Sequence, residues 1–204
     1  MITAEEALTR LKEGNKRFVS GIEKGSTADI GSRKIELLAK QEPFAVVLGC
    51  SDSRVPAELV FDQGLGDLFV IRVAGNIVAP SGVGSVEFAV EQFGTPLVIV
   101  LGHSNCGAVI ATVDQLIQPS ETRSVNLRSI VDRIKPSVET ILDATDERDT
   151  DILVNKAVRA NIRSSVHNLC HGSRIIEEHV DANKLKVVGA EYSLETGIVD
   201  FFDC

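Results

Sequence analysis

Two short segments carry the side chains that could do chemistry. Gly49-Cys50-Ser51-Asp52-Ser53-Arg54 offers a thiol, a carboxylate and a guanidinium at alternate positions. Gly102-His103-Ser104-Asn105-Cys106-Gly107 offers an imidazole and a second thiol one helical turn apart. If the first segment stays extended, Cys50, Asp52 and Arg54 project to one side. Two sulfurs and one imidazole suit Zn2+, and three protein donors leave one tetrahedral corner open, as in a catalytic rather than a structural site. Two thiolates cancel the charge of the ion. It therefore acidifies water less than an ion held by three imidazoles, and neighbouring groups must help. Asp52 is the natural helper, kept ionised and aimed by Arg54. Asp52 could instead become the fourth ligand and close the site. Each piece also has an ordinary reading. A buried Cys is a small core residue, a His at a strand end is a satisfied polar group, and an Asp two residues from an Arg is a local ion pair.

These segments must be brought together across about fifty residues of chain, so the elements that carry them matter. Three short runs are apolar at every position: Phe44–Gly49, Leu68–Val73 and Leu97–Leu101. Such runs suit strands covered on both faces, as in a parallel sheet. Helical patterns alternate with them at Pro56–Phe61, Val83–Phe93 and Cys106–Ile117, and the stretch from Ser124 to His179 reads as mostly helical. Within it Val154, Val158, Ile162, Val166 and Leu169 form an apolar stripe. Leu185–Ala190 and Ile198–Phe202 are strand-like around Thr196-Gly197 and read as an edge hairpin. The expectation is an α/β fold with a central, mainly parallel sheet, an antiparallel edge strand and flanking helices. Both chemical segments then sit at the carboxyl ends of strands, where open α/β sheets place their ligand crevice. Thr3-x-x-Glu6 is a capping box that opens an N-terminal helix. A polar connection follows it, from Ser20 to Thr27, and then a short helical stretch around Ile35, Leu37 and Leu38.

The chain has 204 residues with 21 Lys and Arg against 29 Asp and Glu, a formal net charge of −8. A surface of that sign repels nucleic acid backbones and anionic lipid, so neither is an expected partner. No apolar run is long enough to span a membrane. The acidic start has no basic region or apolar core of a signal peptide, which points to the cytoplasm. Four widely spaced cysteines, including Cys170 and Cys204, read as free thiols or ligands rather than a disulfide framework. No linker divides the chain, so residues 1–204 read as one domain. Gly82-Val83-Gly84 begins like a dinucleotide fingerprint, but Glu87 occupies the third glycine position. His167, His171 and His179 lie on helical stretches without matching Cys and read as surface or core residues.

The motifs CSDSRVPAE (Cys50 to Glu58), GDLFVIRVAGN (Gly66 to Asn76), GSVEFAV (Gly84 to Val90) and GHSNCGAV (Gly102 to Val109) resemble those of the bacterial β-class carbonic anhydrases. The resemblance runs over essentially the whole chain. It implies one Zn2+ per subunit on Cys50, His103 and Cys106, with Asp52 and Arg54 as a catalytic dyad. It implies reversible hydration of CO2 to bicarbonate and a proton, by zinc-bound hydroxide that the dyad orients. It also implies a substrate pocket of Gln41, Phe69, Ala74, Asn76, Phe88 and the Gly107 backbone. Phe88 stands where plant-like members carry a tyrosine. Gln41 acts across a subunit interface in such members, so the resemblance implies a homodimer or homotetramer, with residues 1–40 as a helical arm wrapping a partner. Some bacterial members close the site with the aspartate under control of bicarbonate bound near a Trp, an Arg and a Tyr. Arg72 and Tyr192 match two of those positions. Val47 occupies the Trp position, so an open site is expected. A related zinc enzyme acting on CS2 or COS would share the same features.

Overall fold

A computed structural model describes residues 2–22, 34–35, 37–119, 124–144 and 149–202; Cys204 and much of the connection after Gly21 lie outside these. Five strands form one sheet in the order β2-β1-β3-β4-β5. They span Ala45–Gly49 (β1), Leu68–Arg72 (β2), Leu97–His103 (β3), Lys186–Tyr192 (β4) and Val199–Phe202 (β5). The first four are parallel and the last pair is antiparallel, as the patterning predicts.

The unbroken apolar runs acquire their reason here. In β1, Val46 and Leu48 enter one hydrophobic cluster while Ala45 and Val47 enter another on the opposite face. In β3, Val98 and Val100 alternate in the same way with Leu97, Ile99 and Leu101. On one face lie helices Pro80–Phe93 (α3), Gly107–Ile117 (α4), Val125–Asp143 (α5) and Thr150–His171 (α6). The expected stripe on α6 is buried throughout. The Ser124–His179 stretch divides into α5, α6 and Arg174–Asp181 (α7); Ser124, Asp149 and Ser173 cap their starts through side-chain oxygens.

The other face is covered by the N-terminal helix Ala4–Ser20 (α1), capped by the expected Thr3/Glu6 box, and by the single turn Ala57–Val60 (α2). α1 packs on its own chain. A Cβ on Gly14 would lie 1.8 Å from the Phe61 carbonyl oxygen, so only glycine allows this approach. Asn15 is buried there and donates to the Val60 and Gly197 carbonyls at 3.1 and 2.9 Å, while its own oxygen accepts from the Val199 N–H at 2.9 Å. Among the described residues no helix is long and apolar enough to cross a membrane.

Candidate metal centre

The register of the central strands brings the two chemical segments together. Gly49 in β1 pairs with Leu101 in β3, so Cys50 emerges beside Gly102 and His103. His103 is the last residue of β3, which runs two residues past the Leu101 end that the sequence suggests, and pairs with Tyr192 of β4. Beyond it the chain turns sharply at Asn105, whose φ is 54°. Asparagine tolerates this left-handed conformation better than most residues. Ser104 pins the turn: its N–H donates to the Tyr192 carbonyl at 3.0 Å, and its hydroxyl oxygen accepts from the Leu194 N–H at 3.0 Å. Cys106 then occupies the position just before α4.

Cys50, His103 and Cys106 meet in one buried cluster whose ligand atoms all lie within 4.8 Å of one another. Among the described residues it is the sole group of three or more His, Cys, Asp and Glu so arranged. The two sulfurs are 4.0 Å apart. The Nδ1 of His103 lies 2.9 Å from the Ser104 carbonyl, which places the ring proton there and leaves a lone pair on Nε2. That Nε2 is fully buried and has no hydrogen-bond partner. An orphaned buried acceptor beside two sulfurs is costly unless a cation occupies the space between them. The donor set therefore fits a borderline divalent ion.

Without an ion, Cys50 alone of the three side chains is biased toward its ligating form. The Cys106 thiol hydrogen-bonds to Cys50 and pulls the Cys50 pKa strongly down. The Gly75 N–H donates to the Cys50 sulfur at 3.3 Å and acts in the same direction. With Cys50 ionised first, its charge and hydrogen bond push Cys106 up, against the pull of the Val109 and Ala108 amides at the start of α4. Burial disfavours a charged His103 ring, but the adjacent Cys50 sulfur and Asp52 carboxylate outweigh it and lift its pKa. A cation reverses this logic, because it replaces the shared proton as the positive partner.

Asp52 and Arg54 correct one expectation. The segment is not extended: it turns at Ser53-Arg54, with the Val55 N–H donating to the Asp52 carbonyl at 3.0 Å. Arg54 folds back onto the carboxylate instead of projecting alongside it. Its Nε donates to Oδ1 at 2.9 Å, a terminal nitrogen to Oδ2 at 2.7 Å and its backbone N–H to Oδ1 at 3.0 Å. This two-pronged pairing holds the Asp52 carboxyl well below the usual carboxylate range. Oδ2 also lies 3.8 Å from His103 Nε2, so the carboxylate borders the cluster while both its oxygens engage Arg54.

Arg72, the last residue of β2, ties the loop to the sheet. It donates to the Cys50 carbonyl at 3.1 Å and to the Asp52 carbonyl at 2.5 Å. Val47 is fully buried in β1, and Tyr192 is buried with its ring 6.4 Å from that of Phe18. Of the expected pocket residues, Asn76 is buried and Ala74 half-buried in the turn after β2, and Gly107 opens α4. Phe69 packs against the cluster containing Cys50 and Cys106. Its ring lies 6.3 Å from Phe88 and 6.1 Å from Phe93. Phe88 is 51% exposed, and Gln41 is exposed on the loop before Pro43.

Sequence reasoning misses the residues that hold this turn in place. Asn161 and Ser165 of α6 are buried; they donate to the Gly75 carbonyl at 2.8 Å and the Asn76 carbonyl at 3.1 Å. Two polar residues four apart beside a buried apolar stripe are the signal that could have found them. Gly75 has a φ of 68°, and a Cβ there would lie 2.7 Å from Ile134, so its identity is set twice over.

Comparison with known proteins agrees with this geometry. The family model described as "Carbonic anhydrase" matches residues 45–199. Carbonic anhydrase 2 of Mycobacterium tuberculosis is 39% identical over 92% of this chain and 87% of its own length. The carbonic anhydrase of Mycolicibacterium smegmatis is 40% identical over 93% of this chain and 89% of its own. The β-carbonic anhydrase of Coccomyxa, solved in complex with acetazolamide, superposes with a TM-score of 0.75 at 26% identity, covering 95% of this chain and 85% of its own. By its sheet, its thiol–imidazole cluster and these relatives, the chain belongs to the β-class carbonic anhydrases, a family of lyases.

Proposed function

We propose that the chain binds one Zn2+ through Cys50, His103 and Cys106 and interconverts CO2 with bicarbonate and a proton. The observation that carries this reading is the buried His103 Nε2, without a hydrogen-bond partner beside two sulfurs 4.0 Å apart. Zn2+ in such a site supplies a water of lowered pKa, and so a nucleophile near neutral pH. The chain's own residues supply direction. Asp52 accepts a hydrogen bond from the nucleophile and so fixes which lone pair faces the carbon of CO2. Because Arg54 keeps it ionised, Asp52 orients by accepting and does not retain the proton. Arg72 fixes the backbone of the loop, so the carboxylate stays in one position. Engagement of both Asp52 oxygens by Arg54 favours the open form of the site over one closed by the carboxylate.

The apolar faces of Phe69 and Phe88 wall a pocket suited to a small nonpolar gas. Ala74, Asn76 and the Gly107 N–H complete it, with Gln41 donated from a second subunit. A homo-oligomer is supported by apolar side chains exposed outside the sheet core: Ile35 at 72%, Leu38 at 83% and Phe88 at 51%. We take residues 1–40 as the arm at the partner contact, with α1 held on its own sheet, and residues 1–204 as one domain. Thiolate ligands must stay reduced, which suits the cytoplasm. Stopped-flow CO2 hydration on the zinc-loaded protein is the test. Turnover above buffer is expected, and none between mildly acidic and alkaline pH overturns the reading.

A further inference from the structure

The end of α6 carries two imidazoles side by side, remote in sequence from the cysteine centre. His167 and His171 are four residues apart, both exposed, with ring centres 4.6 Å apart. Side chains at this spacing share one helix face. Two imidazoles bound side by side to one ion at about 2.0–2.1 Å have ring centres about 4.5–5 Å apart, so the pair already stands near chelating separation. Glu177, from α7, lies against the far side of one ring, with its Oε1 3.3 Å from His171 Nδ1. A carboxylate there draws the ring proton to Nδ1 and leaves the Nε2 lone pair outward, as the outer carboxylate does in many metal sites. His171 also closes α6, where the negative end of the helix favours a cation.

We infer that His167 and His171, with Glu177 behind His171, form a surface site for a borderline divalent transition-metal ion such as Ni2+, Cu2+ or Zn2+. Imidazole donors suit these ions and not Mg2+ or Ca2+. With two protein donors, water completes the coordination, so the ion exchanges freely. The site stands apart from the cysteine centre in donors and in exposure.

Calorimetric titration of the zinc-loaded protein with Ni2+ tests this. One Ni2+ per chain is expected beyond the zinc already bound. His167→Ala and His171→Ala should each weaken binding by about tenfold or more, because each leaves a single imidazole, and Glu177→Gln by about tenfold, the usual cost of losing an outer carboxylate. His179→Ala, on α7, should leave the binding unchanged. All these side chains except that of His179 are exposed, so the variants should keep the wild-type circular dichroism. Absence of Ni2+ binding, or an affinity unmoved in either His167→Ala or His171→Ala, overturns the inference.

Discussion

In the proposed mechanism Asp52 is the residue on which the chemistry turns. Its carboxylate takes two prongs from Arg54 and borders the imidazole of His103. Asp52→Asn should therefore keep one metal per chain and lose turnover by about a hundredfold or more; metal analysis and stopped-flow kinetics measured together check it, and full turnover contradicts the role. Cys106→Ser should lose the metal itself, as the same metal analysis reads. The ion pair also has a pH signature. Because the folded carboxyl sits below its unfolded value of about 3.9, its contribution to stability is present above that pH and fades as the pH falls toward the folded value. Acid loss of activity well above pH 4 thus does not arise from Asp52. In Arg54→Gln the Asp52 carboxyl should return toward its ordinary value, as NMR titration of the side-chain carboxyl reads, while the acid limb of the kcat/KM profile above pH 4 stays in place. An unmoved carboxyl would show that Arg54 does not hold it.

At the scale of elements, helix α6 supports the candidate metal centre from behind. Asn161 holds the Gly75 carbonyl, and the N–H of that same residue faces the Cys50 sulfur. Asn161→Leu should lower metal affinity by about tenfold or more and shift the thiolate-to-metal bands of the cobalt form. A stability loss with unchanged affinity and spectrum would make Asn161 a packing residue only. Gly14→Ala forces a methyl against the Phe61 carbonyl and should cost about 1–3 kcal/mol, seen as a fall in Tm of roughly 2–4 °C for each kcal/mol in a chain of this size. The strands were legible because both faces are covered, so every position of Phe44–Gly49 and Leu97–Leu101 is apolar. The turn at Ser53-Arg54 was not, because its shape depends on the guanidinium closing on a carboxylate and on Arg72 reaching in from another strand. Asn161 and Ser165 were hidden for the same reason: their partners lie more than eighty residues away.

For the whole molecule, adjacent parallel strands bring ligands from two distant segments to one sheet end. Recognition of the motifs made Cys50, His103 and Cys106 legible as a set; their spacing alone left the ordinary readings open. Exposed Leu38, Ile35 and Phe88 are the side chains that the proposed association would cover. Sedimentation of the intact protein should give a mass that is a multiple of the 22.0 kDa chain, with specific activity falling on dilution into monomer as the partner's contribution to the pocket is lost. A fully active monomer contradicts that assembly. The central claim is that one ion, shared by the two strand ends, makes the enzyme. It is tested most directly by adding Zn2+ stepwise to metal-stripped protein while following CO2 hydration. Activity should rise in proportion and level off at one equivalent per chain. Hydration that is absent at every equivalent, or equally strong before any zinc is added, contradicts it.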